Sequence, residues 1–156
     1  GVMAVSLNKS FSVDHDSDVV WRFLTDPENI AHCLPGARLL EVVDERTFRG
    51  EVALKFGLFG LTFRGLARFT ELDAGQLTAA LEANATELRG WGDGEMRMRS
   101  RLSSDGEATL IDLEQSFRVT GRLSGVVATS LLTAAAEFVL ARFASCVRAQ
   151  VAIWEG

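Results

Sequence analysis

The residues best suited to chemistry in this chain are few and scattered. His15, His32, Cys33 and Cys146 are its only imidazoles and thiols, and they follow no metal-binding spacing. His32 and Cys33 are adjacent, but neighbours on a helix point about 100° apart, so the pair reads as a solvent-facing His beside a buried Cys. A Cys–His nucleophile also needs a third group to orient the base, and none is legible. Gly121-Arg-Leu-Ser124-Gly125 lacks the spacing of a GxSxG elbow. With no Tyr in the chain, no phenol is present to act as an acid or oxyanion donor. Gly90-Trp91-Gly92-Asp93-Gly94 departs from the GxGxxG spacing and precedes an alternating segment, where a dinucleotide fingerprint needs a helix N-terminus. It reads as a strand-connecting loop, with Trp91 either capping a cavity mouth or packed at a rim. The carboxylates nearest mid-strand, Asp112 and Glu114, alternate outward. No catalytic residue and no metal site is assigned.

What remains is an apolar surface with isolated polar exceptions. Met96, Met98, Phe56, Phe63, Leu81, Leu113 and Phe117 fall on the inward side of alternating segments. They are either plain core or the lining of a cavity, where thioethers and flat rings would hold an isoprenoid chain or quinone ring by dispersion. Gln115 shares that side with Leu113 and Phe117. An unsatisfied buried amide costs about 1–3 kcal/mol, so a partner is required: backbone, a buried water or a ligand carbonyl. Arg64 and Arg68 share one outer strand face, and Arg97, Arg99 and Arg101 another. If residues 77–88 pair between them, Glu82 lies amid five arginines. That surface suits an acidic partner or anionic headgroups, at about 1 kcal/mol per basic residue, or is simply the solvated side of a sheet.

The chain that must position these residues has 156 residues, 47% apolar and 24% charged, with 16 basic and 21 acidic groups. That composition predicts one domain with a single core. The net charge of −5 argues against a nucleic-acid binder. The uncharged run 123–136 is shorter than the ~20 residues of a membrane-crossing helix, so no anchor is expected. No basic segment followed by an apolar one opens the chain; a cytoplasmic protein is expected, with Gly1-Val2 ahead of Met3 reading as a cloning remnant. Two cysteines far apart in sequence are expected to be reduced thiols.

Residues 3–13 alternate as a half-buried strand whose inward row includes the anomalous Lys9. Asp16-Ser17-Asp18 precedes Val20, Trp21 and Leu24 at helical spacing, and Pro27 opens a second short helix closed by Pro35-Gly36. From 38 to 119 only alternating runs and turns occur, predicting strands over 38–43, 47–56, 61–72, 77–88, 95–102 and 108–119, with turns at 44–46, 57–60 and 73–75. After Gly121 the period is helical, with Leu132, Ala135, Val139, Phe143, Cys146, Val147 and Gln150 forming one stripe. This predicts a helix of roughly 30 residues, ~45 Å long. The fold expected is α+β: about seven antiparallel strands curved around a long C-terminal helix, with two short helices after the first strand. The small inward row Ala79, Ala83, Ala85 either leaves a cavity under the helix or lets the helix approach closely.

That order of elements resembles the START-like (SRPBCC) helix-grip superfamily. Phe11-Ser-Val13, Val20-Trp21-Arg-Phe-Leu24, Asp26-Pro27-Glu28 and Cys33-Leu34-Pro35-Gly36-Ala37 narrow the likeness, as do Lys55-Phe-Gly57, Phe63-Arg-Gly65, Arg89-Gly90-Trp91-Gly92 and Val119-Thr-Gly121-Arg-Leu123. In this order they resemble the CoxG family of carbon monoxide dehydrogenase along essentially the whole chain. The resemblance implies a monomeric or loosely associated domain with a hydrophobic tunnel. It implies a bound quinone, menaquinone or ubiquinone, lined by Phe56, Phe63, Leu81, Trp91, Met96, Met98, Leu113, Gln115, Phe117, Val139 and Phe143. It further implies a molybdenum hydroxylase of the carbon monoxide dehydrogenase kind as partner, docked through the arginine rows, and peripheral contact with the inner face of the cytoplasmic membrane. Two other readings stand beside this one: a cyclase-, aromatase- or dehydratase-like enzyme using the same cavity, with Gln115, His32 and Asp93 as its few candidates, and a purely structural module acting through the arginine face.

Overall fold

A computed structural model describes residues 1–56 and 58–154, leaving out the side chain of Phe56. In chain order, β1 (Val2–Val13) leads into α1 (Ser17–Leu24) and α2 (Pro27–Cys33). Six strands follow: β2 (Ala37–Val42), β3 (Thr47–Phe56), β4 (Phe59–Asp73), β5 (Thr78–Glu87), β6 (Asp93–Asp105) and β7 (Ala108–Thr120). A 3₁₀ turn (Gly121–Gly125) precedes the terminal helix α3 (Thr129–Ile153). The seven strands form one antiparallel sheet in the order β1-β7-β6-β5-β4-β3-β2. Strands β2 to β7 are thus a simple meander, and β1 returns to pair with β7.

Local chemistry explains the element boundaries. Asp26 caps α2 by accepting from the Glu28 N–H at 3.0 Å, and Pro27 opens the helix, where its missing N–H costs nothing. Shifts of register between Leu39 and Glu41 and between Phe69 and Glu71 mark bulges, which bend a strand and increase its twist. Gly65 is needed for close pairing: a Cβ there would run into the Asn84 carbonyl on β5.

Several expectations are corrected. The helix after Gly121 is 25 residues, about 37 Å, instead of 30. Gly121 has φ +77°, and residues 121–125 form a 3₁₀ turn tied down by the Leu123 N–H, which donates to the Trp91 carbonyl at 3.0 Å. A period of 3.0 is hard to tell from 3.6 over five residues. The turn assigned to 57–60 is shorter, since Phe59 and Gly60 belong to β4, while Gly57 lies outside the described residues. Leu77 stands before β5 with φ +56° instead of inside the strand.

The two cysteines are not thiols. Cys33 and Cys146 form a disulfide with Cα atoms 5.3 Å apart, despite 113 residues of separation, because α2 and α3 pack together. Lys9 is explained as well: it meets Glu137 of α3 at 2.9 Å, joining the sheet edge to the helix. By length and composition α3 is apolar enough to cross a membrane, with mean hydropathy 1.5 over its most apolar window. Counting only uncharged runs understates this, because Glu137, Arg142 and Arg148 are spread along the helix. Here α3 lies along the sheet, packed mainly against β1, α1 and α2.

Candidate ligand cavity

Because α3 leans on β1 and the short helices, it stands away from the concave side of β3–β6. The space left is a cavity of about 360 Å³, within the range of small-molecule sites. Phe63 of β4, Leu81 of β5, Met96 and Met98 of β6 and Leu113, Gln115 and Phe117 of β7 line the sheet side; Val139 and Phe143 line the helix side. Ala79, Ala83 and Ala85 also face it. The small row therefore makes room and does not draw the helix in. Trp91 does not line the cavity. It packs at the rim against Met3, Leu61, Val119 and Leu123. The Phe56 side chain lies outside the described residues.

Sequence reading missed the contribution of the short helices. Trp21, Leu24 and Thr25 from α1 and Ile30, Leu34 and Pro35 from α2 and its exit close one side. The helical spacing of Trp21 and Leu24 identified a buried face but not that it meets a void. Leu132, Ala135 and Ala136, at the N-terminal half of α3, cover the other side.

Polar groups are sparse. The Thr25 hydroxyl donates to the Trp21 carbonyl at 2.8 Å. Gln115 has its Nε2 3.8 Å from the Met98 sulfur, a weak acceptor. Ser100 is half-buried on the inward side of β6. Glu95 and Arg118 at the margin are exposed and pair with each other at 3.7 Å. Asp112 and Glu114 point to solvent, as do His32 and Asp93. Among the described residues no group of three or more His, Cys, Asp or Glu could hold a metal ion.

One rim of the cavity is fixed by a buried charge. Glu87 is 1% exposed at the end of β5. Burial pushes its carboxyl up, yet the backbone N–H groups of Arg89 and Thr62 and the Arg89 guanidinium outweigh this and hold it below the usual carboxylate value. Arg89 also donates to the Gly60 carbonyl and stacks over Trp91, 3.8 Å from the ring centre. The β3–β4 hairpin and the β5–β6 loop are thereby clamped together.

The outer face of the sheet differs from a basic patch. Arg64 pairs with Glu51 at 2.7 Å, Arg97 with Glu82 at 3.6 Å and Arg99 with Glu71 at 3.5 Å. Arg38 shares Glu51, and the Arg64 hydrogen bond holds that carboxyl below its ordinary value. β5 does lie between β4 and β6, with Glu82 opposite Arg68 and Arg97, and Arg101 stands opposite Thr78 and Asp112. Acidic residues of neighbouring strands, invisible as partners until register is fixed, largely balance the arginines.

A curved seven-stranded antiparallel sheet gripping a long C-terminal helix over an apolar cavity is the START-like helix-grip fold. The CoxG family of carbon monoxide dehydrogenase matches residues 10–152, and the chain belongs to it. Among solved structures, a conserved protein from Geobacillus kaustophilus has 18% identity and TM-score 0.84, with 95% of each chain covered. The Zhui aromatase/cyclase from Streptomyces sp. R1128 has 16% identity and TM-score 0.69, covering 96% of this chain and 94% of its own. Norcoclaurine synthase from Thalictrum flavum has 14% identity and TM-score 0.65, covering 98% and 89%. At these identities the likeness carries the fold alone. No curated protein matches the chain in sequence.

Proposed function

We propose that the protein is a non-catalytic carrier: it holds a quinone, menaquinone or ubiquinone, in its cavity and serves a molybdenum-dependent dehydrogenase of the carbon monoxide dehydrogenase kind at the membrane's inner face. The observation carrying this reading is a wall that is apolar apart from the uncharged Thr25, Ser100 and Gln115. Such a wall gains affinity from area, at about 25 cal/mol per Å² of apolar surface removed from water, and from dispersion against Met96, Met98 and the phenylalanines. Membership of the CoxG family supports the dehydrogenase as partner.

Peripheral membrane contact is supported by the sheet end where the β3–β4 hairpin, the β5–β6 loop and the start of α3 meet. Leu58 and Phe59 on that hairpin are 104% and 65% exposed. Leu88, Val126 and Leu131, from the adjoining loop and helix start, are exposed large apolar residues too. Lys55 and Arg122 flank them on the surface, a mixture suited to an anionic bilayer interface.

The fold's likeness to an aromatase/cyclase keeps an enzyme reading in view. Acid–base catalysis needs a titratable group within hydrogen-bond reach of the substrate; Asp112, Glu114, His32 and Asp93 all face solvent, which favours the carrier. Native mass spectrometry of the purified protein, then denaturation and identification of what is released, tests it. A released mass matching a quinone or prenylated lipid is expected. A protein that carries none and also fails to retain added menaquinone is not such a carrier.

A further inference from the structure

Within the carrier reading, the wall itself distinguishes one place from the rest. We propose that Gln115, assisted by Ser100, is the polar subsite of the cavity and selects ligands bearing a ring carbonyl or hydroxyl over hydrocarbons of the same shape. Alternation along β7 sets Gln115 between Leu113 and Phe117 on the inward row, opposite Met98 of β6 and Leu7 of β1. Ser100 follows Met98 on the same side of β6, opposite Leu113 and Ala79.

Neighbouring polar side chains are already engaged. The Thr25 hydroxyl is taken up by the Trp21 carbonyl, and the Asn29 amide donates to the Phe23 carbonyl at 3.2 Å. The Gln115 amide has only the Met98 thioether at 3.8 Å, too weak an acceptor to satisfy an N–H donor. An amide retained on an apolar wall with so poor a partner gains a strong one when a ligand oxygen arrives.

Its chemistry fits a carrier in a further respect. An amide offers both N–H donors and a carbonyl acceptor, so it bonds the carbonyl of a quinone and the hydroxyl of the reduced form alike. An ammonium only donates and a carboxylate only accepts. Gln115 also sits near the middle of β7, with Trp21, Leu24 and Leu102 toward one end of the cavity and Val127 and Leu132 toward the other. A ring held there leaves apolar wall on both sides for its tail.

The test uses the full chain and two probes: a 2-methyl-3-alkyl-1,4-naphthoquinone and the 2-methyl-3-alkylnaphthalene with the same tail. Both are measured by displacement of a fluorescent apolar reporter such as N-phenyl-1-naphthylamine. Gln115→Leu keeps the volume and removes the hydrogen bond. It is expected to shift the quinone-to-hydrocarbon affinity ratio against the quinone by about tenfold, with hydrocarbon affinity maintained and Ser100→Ala giving a smaller shift. An unchanged ratio in Gln115→Leu overturns the assignment while leaving the carrier reading intact. Equal loss of both probes makes Gln115 a packing residue and overturns it as well. Failure of the wild-type protein to bind either probe overturns the carrier reading itself.

Discussion

Glu87 shows how much a single side chain can organise here. Its carboxylate receives N–H groups from two chain segments and the Arg89 guanidinium, which in turn reaches the Gly60 carbonyl and lies on Trp91. The folded carboxyl lies below the ordinary value of 4.5, so the unfolded chain takes up its proton first on acidification. The ion therefore stabilises the fold fully above that value, and the contribution is lost as pH falls through the folded pKa. Denaturant unfolding of wild type and Glu87→Gln from pH 7 to 3 checks this: the stability gap should be largest near neutrality and shrink below pH 4.5. A gap independent of pH would mean that shape, not charge, is what Glu87 supplies.

At the scale of elements, the disulfide joins two helices that both wall the cavity. Cys33 ends α2, one residue before Leu34, and Cys146 follows Phe143 by one helical turn on α3. Cross-linking residues 113 apart restricts the unfolded chain strongly, an effect of roughly 2–5 kcal/mol. Reduction with a dithiol, or Cys146→Ser, should lower the thermal midpoint by many degrees while circular dichroism below the transition stays unchanged. Equal midpoints with and without reductant would show that the helices hold through packing alone. Sequence reading erred on this pair because it judged two cysteines by separation and compartment, and neither reveals that α2 and α3 are neighbours.

For the whole molecule, the apolar residues of the sheet end that carries the β3–β4 hairpin come from segments far apart in sequence. Leu58→Asp with Phe59→Asp should cut co-sedimentation with anionic phosphatidylglycerol vesicles at least severalfold and leave probe binding in the cavity unchanged, since neither residue lines it. Undiminished sedimentation would remove the hairpin from any membrane contact. What the sequence determined by itself was the kind and order of elements: the alternation of 47–56 and 108–119, the capped Pro27 helix and the apolar stripe of α3 are local periodicities, and local sterics and burial of one face enforce them. Which inward residues meet a void, that the alanines of β5 make room, that glutamates neutralise the arginine rows and that Cys33 meets Cys146 were decided only by the tertiary structure. Those outcomes depend on strand register, sheet curvature and the lean of one helix, which are set by contacts between residues distant in the chain and leave no period for a linear reading to find.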